Sequence, residues 1–188
     1  MKIHSTPLEG LMLIETAPIR DERGQFVRVF CETECAELRP SLHWTQINVS
    51  RTAHMGSVRG MHFQYPPAAE VKLIRCLQGR VFDVAVDLRA GSTTFLHWQG
   101  VELSEDGPME FFRPEGFAHG FQALTDDAQL LYLHTAAWDR QYEGALRHDD
   151  PALSIAWPLP VTQVSEKDRN TPLLDDKFAG ISLNEVQS

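Results

Sequence analysis

Cysteine is scarce in this chain. Three residues, Cys31, Cys35 and Cys76, make an odd count, and no Cys-x-x-Cys occurs. A disulfide framework and a zinc ribbon both need more thiols at other spacings, so free, reduced cysteines of a cytoplasmic protein are expected. Positive charge is also short: 17 Lys and Arg stand against 26 Asp and Glu, a formal net charge of −9. That balance argues against sequence-nonspecific nucleic-acid binding, which needs a basic face, although a few local arginines suffice for a phosphate ligand. Long apolar runs are missing as well. Met1-Lys2-Ile3-His4-Ser5 lacks a basic head before an apolar stretch, and Leu11-Met12-Leu13-Ile14 is far too short for a signal peptide or a membrane span. No membrane partner is expected. There is no internal repeat and little helical periodicity.

What remains is mostly strand. The 188 residues, 43% hydrophobic and 23% charged, suit one domain with a sizeable core. Val81 to Leu88 alternates, with Phe82, Val84, Val86 and Leu88 on one face and Asp83, Ala85 and Asp87 on the other. Leu73–Leu77 runs into it through a Gln78-Gly79 turn. Further strands are expected at 11–16, 26–30, 45–50, 57–64, 95–103, 109–113, 119–124 and 129–135, separated by turn residues such as Glu105-Asp106-Gly107-Pro108. Glu32 to Leu38 reads as a short helix capped by Thr33, and a tail over 170–188 reads as partly irregular. Short strands at this spacing predict an all-β sandwich, jelly roll or barrel.

Two segments stand out: Arg59-Gly60-Met61-His62-Phe63-Gln64 and Pro114-Glu115-Gly116-Phe117-Ala118-His119-Gly120-Phe121. Each sets a histidine beside glycine in an apolar strand, and imidazole is the side chain suited to moving protons near neutral pH. On a regular strand His62 shares a face with Gly60 and Gln64; it is a pocket base or, alternatively, a hydrogen-bonded structural histidine. Asp83 and Asp87 fit a solvated outer face slightly better than an interior. A metal site needs three or four ligands, and the first segment supplies only His62 and Glu70, with no His-x-His pair; no metal is expected. Lys72, if inward, needs an anion beside it, and Tyr132 is either a core phenol or a general acid.

Taken together with Asp21-Glu22-Arg23-Gly24-Gln25-Phe26, Gln46-Ile47-Asn48-Val49-Ser50, Lys72-Leu73-Ile74-Arg75-Cys76 and Ser165-Glu166-Lys167-Asp168, these segments resemble the dTDP-4-dehydrorhamnose 3,5-epimerase family of cupin-like jelly rolls, over about Gly10 to Leu174. The resemblance implies an all-β jelly roll and a cofactor-independent epimerase of a nucleotide-diphospho-4-keto-6-deoxy sugar, working as a homodimer that exchanges N-terminal strands. It implies His62 as base, Asp168 as its orienting carboxylate, Tyr132 as acid on the opposite face and Lys72 as the cation at the enolate oxygen. Substrate contacts implied in the same way are Arg23, Phe26, Gln46, Asn48, Arg59, His119, Glu143 and Lys167.

The chain departs from the family pattern at two further contact positions. Arg28 stands where a glutamate is usual, and Trp138 where a tyrosine stacks on the base. Strict alternation also sets Arg59 opposite His62, so a bulge or a ligand crossing the subunit edge is needed for both to touch one substrate. The rival expectations are a metal-dependent cupin enzyme, a sugar-nucleotide 3,4-ketoisomerase, a single-centre epimerase and a non-catalytic sugar-nucleotide binder.

Overall fold

Period-two patterning in the long strands builds two antiparallel sheets that face each other. The computed structural model describes residues 1–40 and 42–183. The first sheet has the order β1 (Lys2–Ser5), β2 (Met12–Glu15), β10 (Met109–Arg113), β7 (Lys72–Gln78), β12 (Ala128–His134), β5 (Gln46–Thr52). The second runs β13 (Glu143–Ala145), β6 (Val58–Gln64), β11 (Phe117–Ala123), β8 (Arg80–Asp87), β9 (Trp98–Ser104). A separate hairpin joins β3 (Ile19–Asp21) to β4 (Gly24–Phe26). Sequence-distant strands lie side by side within each sheet, as in a jelly roll.

One end of the inter-sheet space is apolar. Ile74 and Cys76 of β7, Leu130 of β12 and Phe111 of β10 meet Val81 and Ala85 of β8 and Phe117 and Phe121 of β11, all at most 2% exposed. The outer faces are covered too. Met61, Phe63, Val84 and Val86 pack under the C-terminal segment through Leu153, Trp157, Phe178 and Ile181. Leu73, Phe112 and Leu133 pack under Phe30, Trp44 and Cys35, the last on α1 (Glu32–Leu38).

This double cover explains a difference from the sequence reading. Asp83 and Asp87 lie on the face opposite Phe82, Val84 and Val86, as alternation requires, but that face is the interior and both carboxylates are fully buried. Other differences are local. The expected strand at 26–30 ends at Phe26, because the chain leaves the β3–β4 hairpin there. α1 has the expected span, but its cap is Cys31, with no side-chain hydrogen bond, rather than Thr33. Strands β1, β3 and β13 are short additions that carry no long alternating pattern. The expected tail is irregular through 183 apart from a single bridge, Arg89 with Ile181; its last five residues lie outside the described ones.

Candidate active site

At the other end of the inter-sheet space the inward positions turn polar. On β12, Tyr132 and His134 follow Leu130 on the inner face; on β5, Asn48 and Ser50 do the same, with Tyr132 opposite Asn48. Lys72 lies opposite His134, and His62 opposite His119. These side chains, with Arg59, Phe121, Ser165, Lys167 and Asp168, line a cavity of about 360 Å³.

Arg59 and His62 reach the same cavity because β6 carries one extra residue. The register steps from His119 to Phe121 on β11 while β6 steps from His62 to Arg59. That bulge centres on Gly60, whose φ is +120°, where a Cβ would meet the His119 carbonyl at 2.7 Å.

His62 is held by α2 (Glu166–Arg169), which packs against β6. Ser165 caps that helix by accepting the Asp168 N–H at 3.0 Å. Asp168 then sets Oδ1 at 2.7 Å from His62 Nε2, while its Oδ2 accepts the Gly60 N–H at 3.3 Å. The Asp168 side chain is 5% exposed and that of His62 34%. Burial raises the Asp168 carboxyl, but His62, the Gly60 N–H and Ser165 outweigh it and hold it below the usual carboxylate range. With Nε2 donating to Asp168, Nδ1 is the basic nitrogen.

The remaining groups surround that imidazole. Tyr132 places its hydroxyl 3.3 Å from Ser50 Oγ, and burial pushes the phenol well above its ordinary range, so it stays protonated. Lys72 Nζ lies 3.1 Å from Glu70 Oε1. His119 Nε2 lies 2.8 and 2.9 Å from the two oxygens of Asp83. Arg59 Nε donates to Thr52 Oγ1 at 2.9 Å and an Nη to the Arg51 carbonyl at 3.1 Å, which aims the guanidinium along the cavity wall. Lys167 and Glu143 form an ion pair of 2.6 Å at the rim. Gln46 accepts the Trp138 N–H at 3.1 Å, fixing the loop that presents the exposed indole.

Of the expected contacts, Gln46, Trp138 and Glu143 stand beside the cavity without lining it, and three more lie away from it. Arg23 pairs with Asp21 at 2.5 Å on the β3–β4 hairpin, Phe26 on the same hairpin is 73% exposed, and Arg28 pairs with Glu34 of α1 at 2.5 Å. None lines the cavity of its own chain. The sequence reading missed His134, Ser50 and the two carboxylates that partner Lys72 and His119. His134 was accessible in principle, since it lies two residues from Tyr132 on an alternating strand. Asp83 shows its role only through His119 on another strand, whereas Glu70 stands two residues before Lys72 and only its contact with His134 is distant in sequence. Among the described residues no three His, Cys, Asp or Glu side chains converge as a metal cradle; His62 and His119 each face a separate carboxylate.

A jelly roll whose open end holds a carboxylate-oriented imidazole, a protonated phenol and a buried lysine is a cupin-like acid–base enzyme. The comparisons narrow this class. The family model for dTDP-4-dehydrorhamnose 3,5-epimerase matches residues 5–176. The dTDP-4-dehydrorhamnose 3,5-epimerase of Methanothermobacter thermautotrophicus is 42% identical over 88% of this chain and 90% of its own. A dTDP-4-dehydrorhamnose 3-epimerase of Streptomyces niveus is 36% identical over 93% and 84%. The crystal structure of the Legionella pneumophila dTDP-6-deoxy-D-glucose-3,5-epimerase in complex with dTDP-4-keto-L-rhamnose superposes with a TM-score of 0.89 at 37% identity, covering 96% of this chain and 97% of that one. The chain belongs to the dTDP-4-dehydrorhamnose 3,5-epimerase family and is an isomerase of the jelly-roll type.

Proposed function

We propose that this protein epimerises a dTDP-linked 4-keto-6-deoxy sugar, dTDP-4-dehydrorhamnose in type, without a cofactor. The observation that carries this reading is the His62–Asp168 pair in one cavity with Tyr132 and Lys72. The ketone at C4 acidifies the hydrogens on its neighbouring carbons. His62 Nδ1 takes such a proton, and Asp168 stabilises the imidazolium that forms. The electron pair moves onto the ketone oxygen, where Lys72 meets the enolate charge. Tyr132 returns a proton to the opposite face of the carbon, inverting it. Solvent then removes the proton from His62 and restores the Tyr132 hydroxyl.

Arg59, Asn48, His119, Lys167 and Glu143 bind the sugar diphosphate in this reading, and Gln46 and Trp138 the base. Arg23, Phe26 and Arg28 act on the cavity of a second protomer. The support for a homodimer is the apolar surface: β5 is an edge strand with Ile47 and Val49 outward at 65% and 58% exposure, and the hairpin carries Ile19 and Phe26 at 69% and 73%. Residues 1–188 are read as one domain. Three free cysteines suit the cytoplasm, and no helix among the described residues is long and apolar enough to cross a membrane.

The test is a panel of dTDP-, CDP- and GDP-linked 4-keto sugars incubated with the enzyme in heavy water, with NMR locating the carbons that gain deuterium. Deuterium at both carbons flanking the ketone, with inversion, is the expected result. No exchange into any of them, with correctly folded protein, refutes the reading. Inversion at one centre only is the second reading, favoured by the similarity to a 3-epimerase.

A further inference from the structure

We propose that Glu70 is a positioning residue that sets two groups of the cavity at once: it holds Lys72 as an ammonium and fixes His134 as the Nδ1–H tautomer, which orients the Asn48 amide. The inference rests on the reading of Lys72 as the cation at the enolate oxygen.

Glu70 lies just before β7 and is 6% exposed. Its two oxygens have different tasks. Oε1 lies 3.1 Å from Lys72 Nζ, and Oε2 lies 2.8 Å from His134 Nδ1. An ionised carboxylate only accepts, so Nδ1 of His134 carries a hydrogen, and in the neutral ring that the proposal assigns Nε2 keeps its lone pair. That lone pair lies 3.3 Å from Asn48 Nδ2 and accepts from it. The chain thus converges on Glu70, with Lys72 at one oxygen and Asn48, through His134, at the other, and both of its ends line the cavity.

The charges facing Lys72 come from every neighbouring strand. Arg113 of β10 is fully buried, donates to the Glu70 carbonyl at 3.5 Å and opposes the ammonium. Asp83 of β8 favours it only weakly, since burial raises its own carboxyl well above the usual carboxylate range and it is shared with His119 of β11. His62 of β6 and Tyr132 and His134 of β12 complete the lining. Burial and Arg113 hold Lys72 below the ordinary lysine range, and the Glu70 charge resists that fall. Glu70 remains ionised despite its burial, because His134, Lys72 and Arg113 bring its carboxyl down to about 2. Neutralising it leaves burial and Arg113 opposed only by a carboxylate that another residue already occupies.

Glu70→Gln keeps the shape and removes the charge. The expected result is a fall in kcat of about tenfold or more, with a smaller change in KM, since the affected interaction is the one that grows with the enolate. The alkaline limb of the pH profile moves to lower pH, because Lys72 then loses its proton earlier. A folded variant with lower thermal stability but an unmoved pH profile overturns the proposal. Nitrogen-15 NMR of the lysine and histidine side chains decides it independently of substrate. In the unaltered protein at pH 7, Lys72 is expected as an ammonium and His134 as the Nδ1–H tautomer. A neutral Lys72 or an Nε2–H His134 overturns the proposal even where Glu70→Gln does not fold. Absence of turnover in the unaltered protein with both signals as expected refutes the epimerase reading and leaves the Glu70 linkage standing.

Discussion

Asp168 Oδ1 stands 2.7 Å from Nε2 of His62, although 106 residues separate the two in the chain. The contact depends on a four-residue helix whose first turn is closed by Ser165. Tautomer, ring orientation and the buried carboxylate therefore all come from one short segment that packs on β6.

Asp168→Asn should preserve the packing and lose the chemistry. An amide in place of the carboxylate no longer stabilises the imidazolium and can hold the other tautomer. Deuterium exchange into the sugar should fall by about 10²–10⁴, as for loss of a positioned base, with little change in thermal midpoint. His62→Ala should fall at least as far. Turnover unchanged in purified His62→Ala removes His62 from the mechanism.

Tyr132→Phe should separate two steps that the native enzyme couples. His62 still removes a proton and returns one to the same face, so deuterium enters without inversion. NMR should show exchange with retained configuration. Inversion at the native rate would rule out the phenol as the second proton donor.

Stability should respond to pH through Glu110. This side chain is fully buried, with Arg75 Nη1 at 3.4 Å from one oxygen and no hydrogen-bond partner for the other among the described residues. Burial exceeds the pull of Arg75 and pushes the carboxyl from 4.5 to about 8. A raised carboxyl means the folded state keeps a proton that the unfolded state has released. Stability therefore falls as pH rises from 4.5 to about 8 and levels off above it. Glu110→Gln should raise the thermal midpoint at pH 8 and leave it nearly unchanged at pH 4. Equal shifts at both pH values would contradict this.

The hairpin should matter to assembly more than to folding. Phe26 is 73% exposed and packs in none of the three core clusters. If the proposed homodimer forms, Phe26→Ser should leave the thermal midpoint at high protein concentration nearly intact, weaken association in sedimentation, and raise KM. A monomeric unaltered protein with full activity would show that the hairpin serves no second cavity.

Much of this was legible in residue order. Alternation in β8 assigned side chains to the correct faces, because a strand's period is fixed by its backbone. Which face meets solvent was not legible for β8, since that depends on a C-terminal segment arriving from residues 153–181. Strict alternation separated Arg59 from His62. The extra residue at Gly60 reverses that result, and only pairing with β11 reveals it. Glu70 was visible in sequence solely as a spare ligand beside His62; Lys72 is its neighbour two residues on, and its contact with His134 is a product of strand register.

The close approach of Gly60 and Gly120 bears on how such a catalyst can diversify. A Cβ on Gly60 would sit 2.5 Å from the Gly120 Cα, and one on Gly120 would sit 2.8 Å from the Arg59 carbonyl. Neither position tolerates even alanine without dislodging the strand that carries the imidazole. New substrate preferences are then expected at the rim, around Trp138 and Lys167, while the floor stays frozen.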